Sequence, residues 1–123
     1  LVKSDLGLKN ARVLVRGITF KENVSDIRNS KVADLVKELE SFGLTVDVVD
    51  PYANPHEVEE EYNIKLASEP IGEYVATVIA VAHQEYIDQT PAELCQVVVQ
   101  NGILMDIKGL FEEAPKGYTY WRM

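Results

Sequence analysis

Runs of apolar residues alternate along this chain with segments of helical spacing. The first run, residues 11–17, contains Val13, Leu14 and Val15 side by side, as in a strand covered on both faces. Asn29 or Ser30 then caps a helix, and Gly43 ends it. Its apolar positions recur at helical spacing: Val32, Leu35, Val36, Leu39 and Phe42. A second strand at 44–49 completes a strand–helix–strand unit, which requires a parallel sheet and a right-handed crossover.

The rest of the chain continues this alternation. The pattern predicts an acidic helix at 55–62, a short edge strand at 64–67 and, in the most apolar run, the central strand at 75–82. It then predicts a helix from Thr90-Pro91 to about Val99, a turn at Asn101-Gly102, a strand at 103–107 and an aromatic surface strand or clasp at 118–123. We therefore predict an α/β fold with a three-layer, doubly wound, mostly parallel Rossmann-like sheet, in a single domain spanning residues 1–123.

Composition and charge narrow the possible partners. The chain has 123 residues, enough for one domain with its own core, and a net charge of −8. That charge opposes binding to nucleic acid or to an anionic membrane, although two or three local cations are enough to hold a pyrophosphate. Cys95 is the single cysteine, which excludes an internal disulfide and favours a reducing, cytoplasmic location. The chain starts at Leu1 rather than at a methionine, which suggests a fragment of a longer protein.

The segment 17–30 carries the most specific chemistry. It follows the first predicted strand, and open α/β sheets bind ligands outside the carboxyl ends of their strands. It lacks the usual phosphate-binding glycines and contains two cations instead, Lys21 and Arg28. Lys21 contacts a ligand or is simply solvated, and Arg28 binds a phosphate, pairs with Asp26, or does both. Asn23 and Ser25 are interpreted as turn-forming residues.

Five motifs together form a family resemblance. The run Gly17-x-Thr19-Phe20-Lys21-x-Asn23-x-x-Asp26-x-Arg28-Asn29-Ser30 resembles the signature that opens the C-terminal domain of the UDP-glucose/GDP-mannose dehydrogenases. Three later stretches fit the same domain in order: Val49-Asp50-Pro51, Ala80-Val81-Ala82-His83, and Asp106-Ile107-Lys108-Gly109. The terminal Tyr120-Trp121-Arg122 completes the match. The details are more similar to bacterial enzymes that act on UDP-N-acetylhexosamines than to animal UDP-glucose enzymes.

The resemblance implies a parent enzyme that oxidises the C6 alcohol of a UDP-sugar to a carboxylate while two NAD are reduced. It implies that an N-terminal Rossmann domain of the same polypeptide holds NAD and the catalytic cysteine, so this chain contains no catalytic residue. It places Phe20 and Lys21 against the UDP-sugar and Arg28 toward NAD. Lys108 falls where the animal enzymes have a substrate-binding arginine. A homo-oligomeric, cytoplasmic parent that supplies acidic sugars for polysaccharide is expected, with no metal, nucleic acid or membrane involved.

The remaining candidates have two interpretations each. Cys95 is expected to be a core residue rather than a nucleophile, and Asp50 a turn residue rather than a ribose ligand. His83, just beyond the central strand, is interpreted as a structural hydrogen-bonding residue, with a ligand role as the alternative. His56 belongs to a solvated acidic helix rather than to a metal pair. Arg16 is either a third basic group near the ligand or the solvated neighbour of an acidic side chain, and the second is preferred.

Two functions from other classes compete with the dehydrogenase domain. One is a stand-alone nucleotide-binding or regulatory module with this fold and no catalytic activity. The other is a protein-interaction domain whose acidic surface, around residues 57–61, contacts a basic partner. A preceding segment with a glycine fingerprint and a cysteine would distinguish the dehydrogenase from both.

Overall fold

The computed structural model describes residues 11–19, 23–28, 30–71 and 73–122. Five strands are present in this part of the chain: β1 Arg12–Arg16, β2 Thr45–Val49, β3 Tyr74–Ile79, β4 Val98–Asp106 and β5 Thr119–Arg122. Four α-helices connect them: α1 Lys31–Ser41, α2 Pro55–Tyr62, α3 Gln84–Ile87 and α4 Pro91–Leu94. A 3-10 helix, Cys95–Val97, follows α4 directly. The predicted alternation of strands and helices is confirmed.

The five strands form one sheet in the order β2-β1-β3-β4-β5, and every neighbouring pair is parallel. The chain moves from β1 outward to β2 and then returns past β1 to β3. This reversal makes the sheet doubly wound and creates a topological switch point between the carboxyl ends of β1 and β3, where such sheets bind ligands. The predicted fold class and the central position of β3 are confirmed.

Helices cover both faces of the sheet. Alternate side chains of β1 and β3, such as Val13, Val15 and Val78, pack with Val36 of α1 and Val58 of α2. On the opposite face, the apolar cluster contains these residues from β3, α3, α4, the 3-10 helix and β4: Ile79, Tyr86, Leu94, Cys95, Val98 and Leu104. The predicted three-layer arrangement follows from these two clusters.

Local signals place the first two helices. Asn54 caps α2, since its side chain accepts hydrogen bonds from the backbone N–H groups of His56 and Glu57. Ser30 is the N-cap residue of α1 but makes no side-chain cap hydrogen bond. Gly43 follows the end of α1 with φ +89°, the left-handed conformation that glycine adopts readily. The predicted bounds of both helices are confirmed.

The region from residue 64 to 107 differs from its prediction in four places. The helix predicted to reach Val99 ends at Leu94, because the β-branched residues that follow suit a strand better. The turn predicted at Asn101-Gly102 is wrong, since both residues lie within β4, where the register with β3 shifts. The short helix α3 was not predicted. The edge strand predicted at 64–67 is reduced to one bridge between Leu66 and Val48.

The aromatic tail forms β5, an edge strand parallel to β4, which confirms the predicted surface strand. Its hydroxyl-bearing residues connect it to the sheet: Tyr118 donates a hydrogen bond to the carbonyl of Val98, and Tyr120 to the carboxylate of Asp106. Among the described residues, no helix is long and apolar enough to cross a membrane.

Candidate functional site

One row of paired residues defines the carboxyl edge of the sheet. Arg16 in β1 pairs with Val49 in β2 and with Ile79 in β3. Ile79 pairs in turn with Asp106 of β4, and Asp106 with Arg122 of β5. The segments beginning at residues 17, 50, 80 and 107 therefore all emerge at the same edge. These are the segments in which the sequence placed its candidate ligand-binding residues.

The loop after β1 presents Arg28 to solvent. The side chain of Arg28 is 84% exposed, and its Nε and Nη2 donate hydrogen bonds to the two carboxylate oxygens of Asp26 at 3.0 and 2.9 Å. Hydrogen bonds from the side chain and backbone of Arg28 lower the pKa of Asp26 to about 2. The predicted Arg28–Asp26 pair is confirmed, and the guanidinium keeps donors for a further partner. Phe20 and Lys21 lie outside the described residues.

Arg28 borders an acidic groove of about 400 Å³ between this loop and α2. The lining residues are Ser25, Asp26, Ile27, Arg28, Glu57, Glu60 and Glu61. Four carboxylates and one guanidinium therefore line the same groove. An anion inside it would meet a mostly negative lining.

Asp50 joins the segments after β1 and β2. Its Oδ1 accepts hydrogen bonds from the backbone N–H groups of Tyr52 and Ala53 at 2.7 and 3.0 Å, which confirms the predicted turn. Its Oδ2 accepts from the N–H groups of Ile18 and Thr19 at 2.7 and 3.3 Å. The sequence did not indicate this second set of bonds, since nothing local connects residue 50 to residue 18.

His83 lies at the switch point and is completely buried. Its Nδ1 accepts a hydrogen bond from the backbone N–H of Asn23 at 2.9 Å, and its Nε2 lies 2.9 Å from Asp50 Oδ2. Thr19 Oγ1 lies 3.2 Å from the same Nε2. The structural interpretation of His83 is confirmed, and its partners show that it connects the loops after β1, β2 and β3.

Lys108 is exposed on the loop after β4, and Asp106 organises that loop from below. The buried Asp106 carboxylate accepts hydrogen bonds from the N–H groups of Leu110 and Phe111 at 2.9 and 2.8 Å. The exposed Arg122 covers Gly109, where an added Cβ would approach Arg122 Nη2 to 2.7 Å. The carboxyl edge therefore brings a second cation close to the Lys108 segment.

Two predictions about buried groups have opposite outcomes. Arg16 is neither solvated nor beside an acidic group: it is 7% exposed, and its guanidinium donates to Thr77 Oγ1 and to the Leu94 carbonyl, both at 3.0 Å. Burial lowers the pKa of Arg16. Cys95 is buried in the core as predicted, and burial raises the pKa of its thiol.

The described residues bring several exposed cations to this edge. Arg28, Lys108 and Arg122 are exposed cations on segments that meet there. Within the described part of the chain, no group of three or more His, Cys, Asp or Glu side chains is placed to hold a metal ion. His56 lies 3.6 Å from Glu60 on exposed α2. The arrangement suits the binding of an anionic ligand by side chains.

Comparisons with known sequences agree with the motifs. A sequence model described as "UDP-glucose/GDP-mannose dehydrogenase family, UDP binding domain" matches residues 14–113. The chain is 36% identical over 114 residues to a UDP-N-acetyl-D-glucosamine 6-dehydrogenase of Pseudomonas aeruginosa, covering 92% of this chain and 27% of that protein. It is 34% identical to Protein CapL of Staphylococcus aureus, covering 100% of this chain and 30% of that protein. The chain thus spans under a third of these relatives.

Solved structures show the same fold at lower identity. An NDP-N-acetyl-D-galactosaminuronic acid dehydrogenase from Methanosarcina mazei superposes with a TM-score of 0.79 at 19% identity, over 94% of this chain and 25% of that one. A UDP-D-ManNAc dehydrogenase from Pyrococcus horikoshii gives a TM-score of 0.74 at 20% identity, over 94% of this chain and 26% of that one. Both likenesses concern the same parallel sheet.

Proposed function

Because the chain belongs to the UDP-glucose/GDP-mannose dehydrogenase family, we propose that it forms the UDP-sugar-binding, C-terminal domain of a nucleotide-sugar 6-dehydrogenase. The match of the UDP binding domain model to residues 14–113 carries this proposal. The exposed cations at the carboxyl edge support it, because a UDP-sugar presents a pyrophosphate to whatever binds it. The stand-alone module is less favoured, since the relatives are dehydrogenases several times longer than this chain.

Each candidate residue has a proposed role. Phe20 and Lys21 contact the UDP-sugar from the loop after β1, and Lys108 contacts it from the loop after β4. Lysine is a compact charge, so Lys108 neutralises the ligand without the two-pronged geometry of an arginine. Arg28 engages NAD from the exposed side of its guanidinium, away from the acidic groove. Asp26 holds that guanidinium by two hydrogen bonds and so fixes its orientation.

The chemistry of the proposed reaction takes place on the other half of the parent. NAD bound to that half would supply the hydride acceptor for oxidation at C6 of the sugar. In this scheme the present chain binds and orients the nucleotide sugar and closes over it, while the N-terminal domain of the same polypeptide supplies the dinucleotide site and the catalytic cysteine. We propose a UDP-N-acetylhexosamine as substrate, because the relatives with the higher identities include UDP-N-acetyl-D-glucosamine 6-dehydrogenases. A cytoplasmic, homo-oligomeric parent in polysaccharide synthesis completes the proposal.

A product assay tests this function. The full-length polypeptide that contains this chain is incubated with NAD and, separately, with UDP-N-acetylglucosamine, UDP-N-acetylmannosamine, UDP-glucose and GDP-mannose. We expect NADH and a uronic acid product with a UDP-N-acetylhexosamine. Formation of neither product with any of the four sugars would refute the dehydrogenase proposal and favour the regulatory module.

Single substitutions in the same protein test the proposed residues. Lys21→Ala and Lys108→Ala should each lower kcat/KM for the UDP-sugar. The expected loss of transition-state stabilisation is about 1–3 kcal/mol, the value of a charge-assisted hydrogen bond. Arg28→Ala should act mainly on the KM for NAD. Lys116→Ala is the matched control, since Lys116 is an exposed lysine that follows Lys108 in the sequence but lies outside the family motif. Equal kinetics for Lys108→Ala and Lys116→Ala would remove Lys108 from the site.

A further inference from the structure

His83 is bonded to three segments that meet at the switch point. It belongs to the segment after β3, its Nδ1 accepts from the N–H of Asn23 after β1, and its Nε2 faces Asp50 after β2. Its side chain and that of Asp50 are both 0% exposed. These bonds do not belong to any helix or strand, so they hold the loops of the carboxyl edge in place without being part of the sheet.

The partners fix the protonation state of the imidazole. An N–H donor points at Nδ1, so Nδ1 must carry a lone pair, and the ring proton must then reside on Nε2. From there it is donated to Asp50 Oδ2. Asp50 is ionised, because burial, which would raise its pKa, is outweighed by hydrogen bonds from His83, Ile18 and Tyr52. The connection therefore requires neutral His83 and a charged Asp50.

Asn23 makes a second bond to the same place. Its side-chain Oδ1 accepts from the backbone N–H of Gln84 at 2.7 Å, while its own N–H donates to His83. Asn23 has φ +61°, a left-handed conformation that asparagine tolerates better than most residues. Residue 23 is thus fixed twice to residues 83–84. It stands two positions after Lys21 and five before Arg28, the two cations of the loop.

We propose that His83 is a positioning residue for the ligand-binding loop: its Nδ1, oriented by the Nε2–H bond to Asp50, accepts the N–H of Asn23 and fixes that residue. The proposal rests on the proposed function, since that function makes the loop a UDP-sugar contact. A side chain with no acceptor at the place of Nδ1 would leave the N–H of Asn23 without this bond. Asn23 would then lose one of its two bonds to residues 83–84 and keep the one from the N–H of Gln84.

The groups that face His83 are few. From the segment after β1, Thr19 Oγ1 lies 3.2 Å from Nε2. From the segment after β2 they are Asp50 and the ring of Tyr52, whose centroid lies 4.7 Å away. From α3 the ring of Tyr86 lies at 5.7 Å. The Tyr52 hydroxyl donates a hydrogen bond to Glu85. The guanidinium carbon of Arg16 lies 6.0 Å from the Tyr86 ring centroid. Among the described residues, Asp50 is the charged group in direct contact with the imidazole.

Two substitutions separate the two nitrogen atoms of His83. In His83→Asn, the amide oxygen takes the place of Nδ1 and accepts from Asn23, and no imidazolium can form. In His83→Gln, the amide nitrogen takes the place of Nε2 and donates to Asp50, but nothing accepts from Asn23. The pair therefore changes the bond to Asn23 while both variants keep a polar, uncharged side chain.

The test is kinetic and uses the full-length polypeptide with UDP-N-acetylglucosamine and NAD at one neutral pH. His83→Gln should raise the KM for the UDP-sugar about tenfold with kcat within about twofold, because a binding loop is loosened and the chemistry is untouched. His83→Asn should keep the KM within about threefold, because its amide oxygen still accepts from Asn23. An unchanged KM in His83→Gln, or an equal rise of the KM in both variants, would overturn the proposal.

Hydrogen exchange distinguishes failure of this proposal from failure of the proposed function. At one neutral pH, the Asn23 amide should exchange faster in His83→Gln than in His83→Asn or in the unmodified protein. Equal exchange in all three would overturn the positioning role whatever the kinetics. If exchange follows the expected order but UDP-sugar turnover is absent in the unmodified protein, the loop connection stands and the proposed function fails. Should His83→Gln not fold, His83→Asn decides alone: an Asn23 amide that exchanges faster in His83→Asn than in the unmodified protein, or a KM raised tenfold, would overturn the proposal.

Discussion

Single buried carboxylates organise both loops that flank the proposed ligand. Asp50 accepts backbone N–H groups from two segments, and Asp106 accepts two from the loop that carries Lys108. A carboxylate has lone pairs for several donors, so one buried residue replaces the regular hydrogen bonding that a loop lacks. The loops that carry the exposed cations are therefore held by buried carboxylates. Each of these carboxylates belongs to a residue at or next to the end of a strand.

The role of Asp106 in holding the loop that carries Lys108 can be tested by one isosteric change. Asp106→Asn replaces one acceptor oxygen by an N–H₂ donor, which faces Tyr120 O–H or a backbone N–H and leaves a buried donor unsatisfied. We expect the free energy of unfolding to fall by about 2 kcal/mol, measured by urea denaturation with circular dichroism. The control is Glu113→Gln, the same change on an exposed residue, which should alter stability by no more than about 0.5 kcal/mol. Equal stability of the two variants would show that Asp106 is not needed to hold the loop.

At the scale of the elements, three polar residues precede helices but only two act as caps. Asn54 and Thr90 accept backbone N–H groups, and Thr90 forms a capping box with Glu93. Ser30 occupies the N-cap position of α1, yet its buried Oγ has no hydrogen-bond partner among the described residues. Its backbone N–H donates instead to Tyr62 Oη at 3.1 Å. A residue type that is typical of caps therefore contributes no cap here.

Matched alanine substitutions should reveal this difference. Asn54→Ala should lower the free energy of unfolding by about 1 kcal/mol, the usual cost of losing a cap. Ser30→Ala should leave it unchanged or raise it by up to about 1 kcal/mol, because it removes an unsatisfied buried hydroxyl. Urea denaturation of both variants, side by side, gives the comparison. A loss of about 1 kcal/mol or more in Ser30→Ala would contradict the structure at this helix end.

The sequence predicted the elements whose signals are local. Strands β1 to β3, helix α1 and helix α2 have apolar periodicity, caps or stop residues within a few positions, and the structure has each of them. The errors fall where long-range pairing decides. Asn101 and Gly102 look like a turn, but β4 continues through them beside β3, and a Cβ at residue 102 would approach the Val75 carbonyl to 2.8 Å. Glycine is required there by a neighbouring strand, which no local pattern shows.

The candidate site divides in the same way. The family motif located the loop after β1 and the segment at Lys108, and the order of the sheet brings them to one edge. The supports of these loops join residues that are distant in sequence, such as Asp50 with Ile18 and His83 with Asn23. Arg16 shows the same limit, since its partners come from β3 and α4 and neither is acidic. Charge patterns along the chain contain no information about such contacts.

At the scale of the whole molecule, several tyrosines make the free energy of unfolding depend on pH in the alkaline range. Burial is the largest cause that raises the pKa of Tyr120 to about 12, and the hydrogen bond to Asp106 is the next. Burial also raises the pKa of Tyr86 and of Tyr74. Tyrosine in an unfolded chain has a pKa of about 10. Above that pH the unfolded state loses phenolic protons that the folded state still holds. Stability from these groups is therefore complete below pH 10 and is lost as the pH rises through the folded values.

The free energy of unfolding should accordingly fall between pH about 10 and about 12. Urea denaturation at a series of pH values, with tyrosinate absorbance recorded on the folded protein, measures it. Tyr120→Phe should make the fall shallower, since it removes one of the linked protons. Tyr118→Phe is the control and should keep the slope of the unmodified protein, although Tyr118 also donates a hydrogen bond, to Val98. Identical slopes in all three proteins would exclude Tyr120 from the effect.

The all-parallel sheet also determines how the chain must reach its native state. No strand of the sheet pairs with its neighbour through a hairpin, and β1 pairs with residues far along the chain, Arg12 with Thr45 and Val13 with Ala76. Folding speed falls as contacting residues become more distant in sequence, because loop closure precedes any gain from pairing. The switch point is enclosed only when β1 and β3 have joined. During synthesis, therefore, β1 acquires its central partner β3 late, and slow folding follows from the same topology that creates the ligand-binding edge.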